Sequence, residues 1–385
     1  MNAPAGPGRR AAAGADADAG AGLRLLADIG GTNARFALQD ATAHARDGGA
    51  GLAAAAGFVD IGVLACSEHA TIGAALDAYL TRAAARGLAV DGIRHAALAI
   101  ANPVEGDAVC MTNHHWRFSI AALRAERGLD TLLVLNDFQA LAMALPHLRA
   151  GQRETVGAST GTSTGAGPGS ASPVAAPGRP IGLVGPGTGL GVSAVVPCGG
   201  RWIALAGEGG HASFAAATRA EARILDALQE RFGHVSAERL LSGTGLELIH
   251  AVTAARHLPA PEITRRALAD DDAACRATVA TFCAVLGSVA GNVALTLGAT
   301  GGMYIGGGIV PRLGRLFHDS AFRARFEDKG RLQPYLARIP TWLVTEPYPA
   351  LHGAAALLAE SIAEDSAERS HERGAGARRP APARH

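Results

Sequence analysis

Short apolar runs alternate with amphipathic stretches along most of this chain. In LLADIGGTNARFAL an apolar run enters Asp28, and Gly30, Gly31, Thr32 and Asn33 follow before a second mostly apolar run, Ala34–Leu38. Two such runs around a Gly-Gly-Thr-Asn turn predict a β-hairpin. Thr71–Arg86 has helical spacing, and Ala96–Ala101 has the continuous apolar character of a buried strand, ended by Asn102-Pro103. Phe118–Arg127 predicts a helix that stops at Gly128, and Thr131–Leu135 a strand with Asn136-Asp137 at its carboxyl end. Phe138–Leu145 continues as a helix up to Pro146. Farther on, Ile181–Gly185 and Leu190–Val196 predict a second hairpin around a glycine turn. Helical segments run through Leu297, Met303–Ile305 is a strand entering three glycines, Thr341–Thr345 is another strand, and Ala350–Ala363 a last helix.

Strands alternating with helices, with a glycine hairpin in each half, predict two related α/β domains facing a cleft, a common place for a ligand. Residues 1–22 are rich in Ala, Gly and Pro and are expected to be a disordered extension. A small α/β domain is expected over 23–146 plus 340–364, and a large one over 147–339. Within the latter, 157–180 is mostly Gly, Ser, Thr, Ala and Pro, a composition that buries no core and predicts a flexible insertion. The charged tail 365–385 is expected to be disordered.

Composition narrows the chemistry. The 385 residues are enough for two cores, with 48% hydrophobic and 18% charged residues. A net charge of +1 gives no basic field for nucleic acid. The five cysteines form no CxxC pair and no zinc spacing, so they predict buried thiols of a reducing compartment. Asp16 and Asp18 interrupt the only stretch that could serve as an export signal, and no run of about 18 apolar residues is free of charge, so a cytoplasmic protein with no membrane partner is expected. The single lysine, Lys329, lies in the charged stretch EDKGR without a sign of burial. P-loop chemistry and a lysine Schiff base are therefore excluded.

The glycine turns carry the chemistry that remains. Asp28 ends a strand and faces glycine N–H groups and a hydroxyl, a set suited to a magnesium-bound nucleotide phosphate. The turn GPGTGLG (Gly185–Gly191) repeats the plan, with Thr188 in place of Thr32. It is no dinucleotide fingerprint, because Leu190 stands where a glycine is needed and a strand-like segment follows. In YIGGGIVPR, Gly306–Gly308 allow close approach of a flat ring. Glycines also mark tight packing, and it is the order of the three turns that is specific. Asp137 can accept a hydroxyl proton while Asn136 orients a sugar; either residue can instead cap the helix that follows. GEGGH sets the Glu208 carboxylate and the His211 imidazole around two glycines, a pattern for hydroxyl recognition. On spacing alone Glu238, following the N-cap-like Ser236, reads as a first-turn helix residue.

Taken in order, DIGGTNAR, MTNHHW, NDFQALAMA, GPGTGLGV, GEGGH, HVSAERLLSG, GNVALTLG and GGIVPR resemble the bacterial glucokinases, the hexokinase-type branch without the zinc-binding cysteine motif of the ROK sugar kinases. The resemblance covers nearly all of Leu23–Leu358. It implies the two-domain actin-like (ribonuclease-H-like) ATPase fold with an interdomain cleft, transfer of the ATP γ-phosphoryl group to the 6-hydroxyl of glucose, and a homodimer. It further implies Asp137 as catalytic base and sugar ligand, with Asn136, Glu208, His211 and Glu238 as the other glucose contacts, which replaces the spacing-based reading of Glu238. Asp28, Ile29, Gly30, Gly31, Thr32 and Asn33 resemble the first phosphate motif, with Asp28 holding Mg2+ through water. Gly187, Thr188 and Gly189 resemble the second, and Gly306, Gly307 and Gly308 the adenosine motif. Two other classes are weighed against this: a glucose-sensing regulator, for which residues 1–22 and the tail offer no DNA-reading element, and an assembly ATPase, against which the sugar-type residues Glu208, His211 and Glu238 argue.

Overall fold

The computed structural model describes residues 22–41, 57–111, 114–157 and 178–376. Its elements run β1 (Leu23–Ile29), β2 (Asn33–Asp40), β3 (Phe58–Ala65), α1 (Ile72–Ala85), β4 (His95–Ile100), β5 (Ala108–Cys110), β6 (Arg117–Ser119), α2 (Ile120–Glu126), β7 (Thr131–Asn136) and α3 (Asp137–Ala144). There follow β8 (Arg153–Thr155), β9 (Ile181–Pro186), β10 (Leu190–Cys198), β11 (Arg201–Gly207), α4 (Arg219–Phe232), α5 (Ala237–Leu240), α6 (Gly243–Ala254), α7 (Ala260–Ala269) and α8 (Ala273–Leu297). The chain continues as β12 (Gly302–Ile305), α9 (Val310–Leu313), α10 (Arg315–His318), α11 (Phe322–Glu327), α12 (Gln333–Ala337), β13 (Thr341–Val344) and α13 (Pro349–Gly376).

Two sheets share one plan. The first has the order β3-β2-β1-β4-β7: an antiparallel meander, then two strands parallel to β1. The second, β11-β10-β9-β12-β13-β8, repeats the meander and the two parallel strands and adds β8 at the edge. This duplicated arrangement is that of the actin-like, ribonuclease-H-like ATPases. Each sheet has its own apolar core. Phe36, Tyr79, Leu98 and Trp116 pack on one face of the first, while the second is covered by α4 to α8 and α11. Helix α8 is long and apolar enough to span a membrane by composition; here Val279, Phe282, Cys283 and Leu286 on it are fully buried in the second core.

Helix α3 lies between the two sheets. Ala140 packs with Leu26, Ala97 and Ala99 of the first sheet and with Ala354 and Leu358 of α13, whereas Leu141 and Met143 pack with Leu183, Tyr304 and Trp342 of the second. The two helices touch almost backbone to backbone at Gly353, where an added Cβ would overlap the Ala140 carbonyl. Small residues on both helices permit that approach, and it fixes the start of α3 relative to both sheets.

Several expectations are corrected. The helix expected over Phe118–Arg127 begins only at Ile120, because Arg117–Ser119 pair with β5 and the Ser119 hydroxyl caps α2 by accepting from Ala122 N–H at 3.0 Å. The strand at 341–344, assigned to the small domain with the rest of 340–364, is hydrogen-bonded between β12 and β8 in the second sheet. The tail expected to be disordered from 365 continues α13 as helix to Gly376. Lys329 is half-buried rather than exposed: its ammonium donates to the Ser288 carbonyl at 3.1 Å, and burial, then neighbouring Arg325, lowers its pKa. The expectations for residues 1–21, 158–177 and 377–385 fall outside the described residues.

Candidate active site

The carboxyl ends of the parallel strands in the first sheet are level: Ile29 pairs with Ile100, and Ile100 with Asn136. The first glycine turn, Asn102 and the Asn136-Asp137 pair therefore share one edge, as expected for a ligand crevice in an α/β sheet. The turn is closed by Gly30 N–H donating to the Asn33 carbonyl at 3.0 Å, and Cys66 N–H holds the Thr32 carbonyl at 2.9 Å. Asp28 lies opposite Arg35 in the hairpin register, and the guanidinium donates to its carboxylate at 3.2 Å. Burial raises the Asp28 pKa, and Arg35 opposes that shift.

Asn136 and Asp137 both bond the start of α3. The Asn136 carboxamide caps α3, its Oδ1 accepting from Phe138 N–H at 2.9 Å and Gln139 N–H at 3.2 Å, while its Nδ2 donates to the Asn102 carbonyl at 3.4 Å. Asp137 opens the helix, with Oδ1 also accepting from Phe138 N–H at 2.9 Å. Burial and the negative field of Asp28 push its carboxyl up to about 7; the N–H bonds of the helix start oppose this, and Glu208 adds to it. Asp28, Asp137 and Glu208, distant in sequence, are thus electrostatic neighbours, and a carboxyl titrating near 7 suits proton abstraction near neutral pH.

The second glycine turn sits at the matching edge of the second sheet. Gly306 N–H donates to the Val184 carbonyl at 2.8 Å, which brings Gly306–Gly308 beside Pro186 and Gly187. Gly307 has a φ of +77° and no room for a Cβ, since the Pro186 carbonyl oxygen would lie 2.4 Å from it. The packing explanation holds for some glycines and fails for others. At Gly191 a Cβ would fall 2.2 Å from the Phe138 ring, so this glycine serves the contact between α3 and the second hairpin, whereas Cβ atoms at Gly187 and Gly308 would meet nothing within 4 Å. The latter two face open space.

Glu208 precedes a short 3-10 turn, Gly209–His211, whose Gly210 is pressed on the Leu190 carbonyl. His211 Nε2 lies 3.9 Å from Glu238 Oε1, and Glu238 Oε2 accepts from Leu190 N–H at 2.9 Å. Ser236 stands at the N-cap of α5 as its sequence suggests, but its side chain makes no capping bond. Arg35 and Asn102 are site residues that sequence reasoning passed over. The signal for Arg35 was present: a turn centred on Gly30–Asn33 sets it opposite Asp28. Asn102 gave no such signal, because only strand pairing brings its carbonyl to Asn136.

A duplicated actin-like ATPase fold, with two glycine hairpins and a clustered set of carboxylates at facing sheet edges, defines a phosphotransferase of the sugar-kinase class. A family model described as Glucokinase matches residues 25–361, and the chain belongs to the glucokinase family. A glucokinase of Chromobacterium violaceum is 50% identical over 349 residues, 89% of this chain and 91% of the relative. The crystal structure of a glucokinase from an Antarctic psychrotroph is 34% identical with a TM-score of 0.72, covering 88% of this chain and 99% of that one. A glucokinase of Balamuthia mandrillaris, solved in complex with glucose, shares the fold at 21% identity and a TM-score of 0.68, over 89% of this chain and 95% of that one.

Proposed function

We propose that Asp137 is the general base of ATP-dependent glucose phosphorylation, the reaction of the family to which the chain belongs. The observation that carries this assignment is the place of Asp137: at the start of a helix wedged between both sheets, with a carboxyl raised to about 7. Its carboxylate takes the proton of the 6-hydroxyl as that oxygen attacks the γ-phosphorus in line, and ADP leaves. Glu208, His211 and Glu238 hold the remaining sugar hydroxyls. Asn136 acts through the cap that orients α3. The N–H groups of the turns at Gly30–Asn33 and Gly187–Gly189 receive phosphate oxygens, and the segment Gly306–Gly308 receives adenosine.

Among the described residues no cluster of three side chains is arranged to hold a metal ion alone. The donor set nevertheless fits a magnesium ion that arrives with ATP. Asp28 and Glu208 both raise the pKa of Asp137, so the site carries an excess of negative charge. Asp28 would hold the ion directly or through its water, and the ion would neutralise charge on the phosphates. Arg35 aims the Asp28 carboxylate and opposes the rise that burial imposes on its pKa.

The hairpins belong to different sheets, so closure of the cleft brings Asp137, the 6-hydroxyl and the γ-phosphate into line and excludes water. The same proposal includes a cytoplasmic homodimer, supported respectively by five free cysteines, of which Cys110 and Cys198 are exposed rather than buried as expected, and by the family resemblance. A coupled assay of ATP consumption with and without glucose tests the function. Turnover that requires glucose is expected. Glucose binding without turnover would leave a sensor, and equal turnover without sugar an assembly ATPase.

A further inference from the structure

The second phosphate hairpin is held in place from the sugar side of the cleft. It closes on itself through Gly187 N–H to the Gly189 carbonyl at 2.7 Å. Both of its limbs are then gripped by the segment 236–243. Gly243 N–H donates to the Gly187 carbonyl at 3.0 Å, and the Glu238 carboxylate accepts from Leu190 N–H at 2.9 Å. The carboxylate also fills the space over Gly189, where an added Cβ would sit 2.4 Å from Glu238 Oε2. Gly189 has no left-handed φ, and the three nearest atoms that its Cβ would meet all belong to Glu238. The turn bearing Glu208 and His211 leans on the same residue, since a Cβ at Gly210 would lie 2.0 Å from the Leu190 carbonyl oxygen. Leu190 is thus flanked by sugar-side groups on both its N–H and its carbonyl.

From this geometry we propose that Glu238 is a positioning residue for phosphoryl transfer. One carboxylate oxygen fixes the phosphate hairpin through Leu190, while the other faces His211 and the sugar. Glucose bound at Glu238 restrains the carboxylate, the carboxylate restrains the hairpin, and the nucleotide meets a turn already set in its binding geometry. Coupling of this kind is reciprocal: nucleotide tightens sugar by the same factor as sugar tightens nucleotide. The inference rests on the assignment of Glu238 to the sugar and of Gly187–Gly189 to phosphate.

Calorimetric titration with the non-hydrolysable analogue AMPPNP, with and without glucose, tests it on three proteins. The unaltered enzyme should bind AMPPNP more tightly with glucose present. Glu238→Ala should bind AMPPNP about tenfold more weakly even without glucose, the scale of one charge-assisted hydrogen bond, and should lose the glucose effect. Glu238→Gln keeps an oxygen for Leu190 N–H, so it should restore AMPPNP affinity to within about threefold while its KM for glucose stays raised. A contact made only with sugar would leave AMPPNP binding by Glu238→Ala unchanged, and that result overturns the proposal.

If Glu238→Ala does not fold, Gly189→Ala decides. Its methyl group displaces the carboxylate, so the KM for glucose should rise about tenfold although residue 189 lies in the phosphate hairpin. An unchanged KM for glucose overturns the proposal equally. Failure of the underlying assignment is separately visible as absence of glucose-dependent ATP turnover by the unaltered enzyme.

Discussion

The first glycine hairpin carries its own charges, with Asp28 on one strand and Arg35 opposite it on the next. The second, Gly185–Gly191, has no charged residue in the turn or in either flanking strand, and its polar support comes from Glu238 and Gly243 outside the hairpin. The strand plans are the same, so fold does not account for the difference. A hairpin that holds its own ion pair keeps its geometry whether or not sugar is bound. A hairpin held by a sugar-side carboxylate is open to coupling. Of two similar turns facing one cleft, one is a fixed anchor beside the base and the other responds to the second substrate.

The largest expected effect comes from the proposed base. Asp137→Asn should reduce kcat about 100-fold or more, with a smaller change in glucose affinity, because the carboxamide cannot take the 6-hydroxyl proton. Steady-state kinetics check this, and near-native kcat would remove Asp137 from the role of base. The same substitution should affect stability with the opposite sign. The folded-state pKa of Asp137 is raised above its unfolded value, so its contribution is fully present below the unfolded pKa near 3.8 and is lost as pH rises through about 7. The Tm advantage of Asp137→Asn over the unaltered protein should therefore grow between pH 4 and 7 and level off above, which thermal melts across that range would show.

Next in size is the contact that joins α3 to the second hairpin. Gly191→Ala places a methyl group against the Phe138 ring and should destabilise the protein by about 1–3 kcal/mol, with kcat lowered because the base shifts with α3. The double variant Gly191→Ala/Phe138→Leu should recover part of the lost Tm; no recovery would mean that the clash lies elsewhere. The smallest effect is expected in the first hairpin. Arg35→Ala removes one partly exposed charge-assisted bond to Asp28, about 1 kcal/mol or less after solvent screening, and should raise the KM for ATP in low magnesium more than in saturating magnesium. It should leave the effect of glucose on AMPPNP affinity intact. Loss of that effect in Arg35→Ala would show that the two hairpins are not as different as their supports suggest.

Elements whose signal is local were legible in the sequence. The two hairpins, the strand before Asn136 and the helix after it were marked by glycine turns and apolar runs, and their ends shifted by one or two residues. The edge strands were not. In β3, Val59, Ile61 and Val63 are exposed and Asp60 and Gly62 interrupt the run, so FVDIGVLA lacks the apolar-in, polar-out alternation of a half-buried strand. In β11, Ile203 and Leu205 are likewise exposed. The helical continuation of α13 past residue 365 was hidden by a charged composition that fits coil as well as helix. For the site, residue types pointed to Asp28, Asp137, Glu208 and His211, yet the burial that raises Asp137 is a property of the packed α3. Glu238 is the sharpest case. Spacing makes it a first-turn helix residue, and it is the tertiary bond from Leu190 N–H that ties its carboxylate to the second glycine hairpin.

Asp137, perturbed by its neighbours, is the proposed base on which the mechanism turns. The pH dependence of kcat/KM for glucose tests it most directly. A limb that rises by about tenfold per pH unit below an inflection near pH 7, one proton being lost, is expected, and no such limb in Asp137→Asn. A profile that is flat from pH 5.5 to 8, or the same inflection in both proteins, would contradict it.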